Sequence, residues 1–365
     1  MPSISRRPDG RWRARYRDDA GREHAKHHAR RVDAQRWLDE VTAAVITGTY
    51  VAPTAGKVTF REYAEKWRAA QVHRPSTVVH VERMLRRHAY PTFGDRSLAT
   101  ILPSDVQTWV RRLESVLSAS TIGVAHSIVS SVLRAAVRDR RIVANPCEGT
   151  RLPRVQRSQV VPPTTEQVTA LRAAMPDELR ALATFAAGTG LRQGECLGLT
   201  VDRLDFLRRT VTVDRQLMTL PGRAPHHAPP KTAASVRTVP LPSVVLDALA
   251  EHLAAHPRDG LVFTLAGKPV TRQAFGHMWR PVVAAAGLPP GTGFHAFRHY
   301  YASLLIRHSE SVKTVQARLG HASASETLDT YSHLWPDSDD RTRQAVDAVL
   351  GTPAPADYRR TDEGL

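Results

Sequence analysis

The sequence predicts a multidomain chain, mainly α-helical with small β-sheets. It reads as an N-terminal three-stranded sheet plus helix, then a four-helix segment, then a mixed α+β domain. Three observations carry this. With 365 residues, two or three domains are the prior and sizeable cores are within reach. Residues 11–17 alternate like a strand, whereas apolar residues recur at helical spacing over most of 58–143. The second half mixes an almost wholly apolar run, 179–188, with alternating stretches at 209–213 and 236–239.

The elements follow in order. Arg11, Arg13, Arg15 and Arg17 share one face of a strand, with Trp12, Ala14 and Tyr16 on the other. Asp18-Asp19-Ala20-Gly21 reads as a turn, Arg22 to His28 as the return strand, and Ala34, Trp37, Leu38 and Val41 as one helix face. Residues 47–57, with Gly48, Pro53 and Gly56, read as a linker between domains at 1–50 and 57–147. Four helices are expected in the second domain. Phe60, Ala64 and Trp67 mark the first; Pro75-Ser76-Thr77 opens the second, broken at Phe93-Gly94. Pro103-Ser104-Asp105 opens the third, and Thr121 the fourth, which ends at Asn145-Pro146. Arg83, Arg86 and Arg87 are plausible phosphate contacts, weighed against an ordinary wet face. After a linker at 148–161, Thr164-x-x-Gln167 reads as a capping box opening a third domain, 160–350. His226 and His227 are placed at a Pro-rich hairpin tip, and residues 351–365 read as a disordered tail.

Charge narrows the partner. Lys plus Arg number 51 against 35 Asp plus Glu, a net charge of +16, which suits a polyanion. Nucleic acid is favoured over a membrane surface, because no run of 18 apolar residues is present. Arginines at 6, 7, 11 and 13 interrupt any signal-peptide core, so a cytoplasmic location is expected. Cys147 and Cys196 are too few for a disulfide framework or a structural zinc site, and no metal site is expected.

The chemistry gathers between Gly293 and Trp335. His295 and Arg298 stand three apart and share a helix face. Tyr301, Leu304, Leu305, Val312, Val315 and Leu319 continue an apolar helical pattern that Gly320 ends, and His321 follows at once. Tyr331 lies ten positions beyond His321 on a last short helix. Guanidinium and imidazole groups near a phenol are suited to neutralising a phosphate and to handling a nucleophile's proton.

This pattern, His-x-x-Arg, then Leu-Gly-His, then Tyr, resembles the C-terminal signature of the tyrosine recombinase (phage integrase) family. Ala187 to Glu195 is similar to the family's first arginine box, with Arg192 and, a turn on, Glu195. Pro230 to Leu241 is similar to its β-hairpin lysine segment, with Lys231. The resemblance implies a DNA recombinase whose Tyr331 attacks phosphorus and forms a 3′-phosphotyrosyl link. Arg192, Arg298 and His321 would stabilise the phosphoryl oxygens, His295 would help manage the nucleophile's proton, Lys231 would protonate the leaving 5′ oxygen, and Glu195 would orient Arg192. No cofactor, ATP or metal is implied. His299, His333, Trp335 and the pair His226-His227 are left outside the site.

The resemblance further implies an arm-type DNA-binding domain in residues 1–50 and a helical core-binding domain that closes with the catalytic domain around DNA. The partners it implies are double-stranded attachment sites and a homotetramer. The need for a DNA-bending protein or a directionality factor stays open, as does whether Tyr331 acts in cis or in trans. Two other readings are a type IB-like topoisomerase and a catalytically silent DNA-binding regulator on the same scaffold. The separate core-binding segment argues against the first, and the intact residue set against the second.

Overall fold

The computed structural model describes residues 2–17, 21–47, 50–52, 54–156, 159–257, 260–335 and 339–351. The expected turn at 18–20 and the tail beyond 351 lie outside the described residues. The chain divides into two compact units, Met1–Arg157 and Ser158–Leu365.

The first unit begins with three antiparallel strands in sequence order, β1 (Ser3–Arg6), β2 (Trp12–Arg17) and β3 (Glu23–His28). Ala14 and Tyr16 turn to the buried face of β2, against α1 (Arg31–Ile46), which contributes Ala34 and Leu38. Tyr16 closes this small core through a hydrogen bond to Tyr50. On the other face Arg11 and Arg17 are exposed, while Arg13 and Arg15 both reach Glu23, at 3.5 and 3.7 Å.

A helical bundle follows: α2 (Phe60–Ala70), α3 (Pro75–Met84), α4 (Tyr90–Phe93), α5 (Pro103–Leu113) and α6 (Ala119–Arg138). Thr59 and Glu62 form a capping box at the start of α2, and Pro75 and Pro103 occupy first-turn positions where a missing N–H costs nothing. The second helix stays helical from Pro75 to Phe93, as expected, with a π-helical turn at Leu85–Ala89 between α3 and the one-turn α4. One expectation needs correction. The fourth helix starts at Ala119, because Ser118 rather than Thr121 supplies the cap, and it ends at Arg138, with Arg140 left-handed beyond. Phe60, Phe93, Trp109, Ile122 and Leu133 are fully buried in its core. Among the described residues α6 alone is long and apolar enough to cross a membrane, and it packs Ile122, Val129, Val132 and Leu133 inside this bundle.

The second unit opens at α7 (Thr165–Ala174), where Thr164 and Gln167 form the capping box. Then come α8 (Asp177–Thr189), the one-turn α9 (Gln193–Leu197), β4 (Leu204–Asp205), β5 (Thr210–Val213), β6 (Gln216–Met218), β7 (His226–Ala228) and β8 (Arg237–Pro240). Strands β4, β5 and β8 form an antiparallel sheet; β6 and β7 form a separate hairpin with Leu217 opposite His227. His226 and His227 thus sit on a strand, and the tip lies before them, at 219–225. The rest comprises α10 (Ser243–Ala255), β9 (Thr264–Leu265), β10 (Lys268–Pro269), α11 (Arg272–Ala285), α12 (His295–Arg307), α13 (Val312–Leu319), α14 (Ala324–Tyr331) and α15 (Asp339–Leu350). The main core gathers Leu182, Phe185, Val211, Val239, Leu249, Phe263 and Phe297. A smaller cluster joins Tyr301, Ile306, Val315, Leu319 and Tyr331. The apolar pattern that predicts one helix ending at Gly320 forms two, because Ser309 is left-handed and Ser311 caps α13 afresh through Thr314 N–H.

Candidate active site

Helix ends build the site. Helix α8 stops at Gly190 and α13 stops at Gly320, both left-handed (φ 64° and 66°) as glycine permits without a Cβ penalty. Their last carbonyls, lacking helical partners, carry partial negative charge. They point at two guanidinium groups. Arg298 donates from Nη1 to Gly190 O at 2.8 Å and from Nη2 to Leu319 O at 2.7 Å. Arg192 donates from Nη2 to Gly320 O at 3.1 Å.

Glu195 holds the other side. Its carboxylate accepts from Arg192 backbone N–H at 2.9 Å and from Arg192 Nη1 at 3.0 Å. It also accepts from Arg237 Nη2 at 2.9 Å. Burial alone would raise this carboxyl, but the Arg237 hydrogen bond and charge, then Arg192, hold it below the usual carboxylate range. Arg237 donates from Nε to Arg318 O at 2.8 Å and from Nη1 to Ser235 O at 2.9 Å. Arg298, only 4% exposed, is lowered to about 10, by burial first and then by the nearby Arg192 charge.

The histidines flank this charge. His295 opens α12, and burial followed by the Arg298 and Arg192 charges pushes its imidazole below its ordinary value. His321 follows the α13 cap. Its Nδ1 shares a hydrogen bond with Thr327 Oγ1 at 2.8 Å, and its Nε2 lies 3.7 Å from Glu326. Burial, then Arg298, pushes it to about 4, so it is neutral at neutral pH. Tyr331, the last residue of α14, is 1% exposed, and its ring belongs to the smaller core cluster. Burial pushes its phenol up to about 12, with Arg298 pulling the other way.

Of the residues singled out from sequence, Arg192, Glu195, His295, Arg298, His321 and Tyr331 are brought together. Lys231 lies on an exposed turn after β7, and that turn reaches the site through Ser235, 3.5 Å from Arg192 Nη1. Two neighbours escape the sequence reading. Arg237 carries no spacing signal, standing in an alternating strand. His299 sits one place after Arg298, outside the expected set; its Nδ1 is 2.8 Å from the Tyr331 hydroxyl. Arg83, Arg86 and Arg87 are exposed on the helical bundle, Arg86 beside Glu82 at 3.0 Å. Among the described residues no group of three or more His, Cys, Asp or Glu side chains is placed to hold a metal.

Paired guanidinium groups beside a buried phenol are groups suited to an anionic phosphate. Residues 164–337 match the phage integrase family, and residues 58–152 match the phage integrase central domain. The chain is 27% identical over 338 residues to the prophage phiRv2 integrase of Mycobacterium tuberculosis, covering 89% of each chain. It is 24% identical to the ICEBs1 integrase of Bacillus subtilis, covering 76% of this chain and 79% of that one. Its fold matches the Tn1549 transposon integrase in complex with transposon right end DNA. The TM-score is 0.68 at 24% identity, over 80% of this chain and 100% of that one. It also matches the lambda integrase dimer bound to a core site, with a TM-score of 0.61 at 18% identity, over 92% and 97% of the two chains. The chain belongs to the phage integrase family of tyrosine recombinases.

Proposed function

We propose that this site-specific recombinase cuts and rejoins double-stranded DNA through Tyr331, integrating or excising a phage or other mobile element. The observation that carries the reading is the meeting of Arg192, Arg298 and His321 beside the Tyr331 phenol, on elements far apart in sequence. Arg192 and Arg298 neutralise the charge that grows on the phosphoryl oxygens, and His321 adds a neutral N–H donor. Tyr331 forms the 3′-phosphotyrosyl bond, His295 helps manage the nucleophile's proton, and Lys231 protonates the departing 5′ oxygen. Because the phosphotyrosyl bond conserves the phosphodiester's energy, a second strand's 5′-hydroxyl reverses the step and joins new DNA.

In this reading residues 1–50 contact arm-type sites through Arg11, Arg13, Arg15 and Arg17. Residues 57–147 contact core sites, with Arg83, Arg86 and Arg87 toward phosphates. The assembly at work is a tetramer on two sites, as the lambda integrase tetramer bound to a Holliday junction illustrates for that protein. A bending protein or a directionality factor would act as an accessory.

The test is strand exchange between two labelled duplexes carrying the sequence the protein selects from a randomised pool, without metal or ATP. Recombinant duplexes that vanish in Arg298→Ala are the expected result. Relaxation of supercoiled DNA with no exchange would favour the topoisomerase reading, and sequence-selective binding with neither activity would favour a regulator.

A further inference from the structure

Three side chains, not two, occupy the active face of α12. His295, Arg298 and His299 stand at helix positions i, i+3 and i+4, which one face shares. The third touches the nucleophile. His299 Nδ1 lies 2.8 Å from Tyr331 Oη, with the rings edge-to-face at 5.7 Å between centroids. The ring of His295 stands 6.3 Å from that of His299.

We propose that His299 is a catalytic residue of strand cleavage and rejoining: its Nδ1 takes the Tyr331 hydroxyl proton as the phenolic oxygen bonds to phosphorus. The proposal rests on Tyr331 being the nucleophile. In cleavage, the Oη–H bond breaks and the proton moves to Nδ1. The Oη–P bond forms, the P–O5′ bond breaks, and the departing 5′ oxygen takes a proton from Lys231. In rejoining, the incoming 5′-hydroxyl attacks phosphorus, its proton returns to Lys231, and the leaving phenolate recovers its own proton from His299.

Two features of the surroundings support this. Tyr331 is buried in the DNA-free chain, and the His299 side chain is in hydrogen-bond contact with its hydroxyl. The groups facing His299 are His295 and Arg298 on its own helix and Tyr331 on α14. Burial, then the charges of His295 and Arg298, push His299 down to about 4, which keeps it neutral and leaves a ring nitrogen able to accept. Without DNA the transfer is uphill, so Tyr331 stays a phenol. A bound scissile phosphate brings negative charge beside the imidazole and raises its proton affinity.

The test uses the full chain and a nicked duplex of the sequence it selects, prepared with either oxygen or sulfur as the bridging 5′ leaving atom. Sulfur departs without a proton, so the pair separates nucleophile activation from leaving-group protonation. Variants are His299→Leu, His299→Asn, in which the amide oxygen stands in for Nδ1 as an acceptor that cannot take the proton, and Lys231→Ala. The expected result is about a hundredfold slower covalent adduct formation in both His299 variants with either leaving atom. DNA affinity and thermal midpoint should remain near wild type in His299→Asn, and Lys231→Ala should be rescued by sulfur. Wild-type rates in His299→Asn, or rescue of that variant by sulfur, would overturn the proposal while leaving Tyr331 as nucleophile. No adduct from wild type on either substrate would instead remove the Tyr331 reading and this one with it.

Discussion

Glu195 decides whether the positive side of the site holds together. It is the buried carboxylate between Arg192 and Arg237, and removing one member of such a group leaves the others as uncompensated buried charge. Glu195→Gln is therefore expected to cost about 3–5 kcal/mol of stability in chemical denaturation and to slow cleavage by letting Arg192 drift. The pH sign follows from the depressed carboxyl. Its contribution is present above the unfolded value of about 4.3 and is lost as pH falls through the lower folded value. The stability gap between wild type and Glu195→Gln should narrow on acidification in that range. His299 and His321 act at higher pH. Both have folded values of about 4, below the unfolded value near 6.5. The folded chain therefore binds fewer protons, and stability should drop as pH falls from about 6.5 toward 4. His321→Gln should flatten that slope in melts followed across pH. At this scale the site is legible where a residue type stands at fixed spacing from its partners, as for Arg192, His295, Arg298, His321 and Tyr331. Arg237 and His299 are not, because a strand arginine and a second helix histidine acquire meaning only through what tertiary packing brings opposite them.

At the scale of elements, two glycine-capped helix ends aim their carbonyls at the two arginines. A Cβ on Gly190 would meet Tyr301 Cδ1 at 2.4 Å and would force a side chain into a left-handed backbone. The backbone part alone costs about 1–2 kcal/mol. Gly190→Ala should thus lower stability by more than that and reduce cleavage, through displacement of the carbonyl that receives Arg298. Denaturant titration and adduct yield check the two halves. Most helix starts are readable in the sequence, since Pro75, Pro103 and the Thr164–Gln167 box are local chemistry. The π-turn at Leu85–Ala89 and the break at Ser309 are not, because both interrupt an apolar pattern that continues on either side and gives no local warning. The β6–β7 hairpin departs from expectation for a related reason: three-residue strands around a Pro-rich tip carry almost no alternation to read.

For the whole molecule, the surplus of 16 positive charges sets how it meets DNA. Affinity should fall steeply and linearly on a log–log plot against salt, by counterion release. Replacing exposed Arg86 and Arg87 by Gln should weaken binding across all sequences and reduce the salt slope by about one for each phosphate left without its arginine. Fluorescence anisotropy at several salt concentrations measures this. The elements are legible by period: strand alternation marks the N-terminal sheet, helical spacing the bundle that shares its compact unit, and a mixture of the two the second unit. Which side chains meet DNA is a matter of tertiary placement, which periodicity does not encode.

In the proposed reaction Tyr331 becomes covalently joined to DNA. The direct measurement incubates wild type and Tyr331→Phe with a nicked duplex of the selected sequence, without metal or ATP, and resolves the products on a denaturing gel. A protein–DNA band in wild type, mapped by peptide mass spectrometry to Tyr331 and absent from Tyr331→Phe, is the expected result. An adduct that persists in Tyr331→Phe, or none in wild type on DNA it binds selectively, would contradict it.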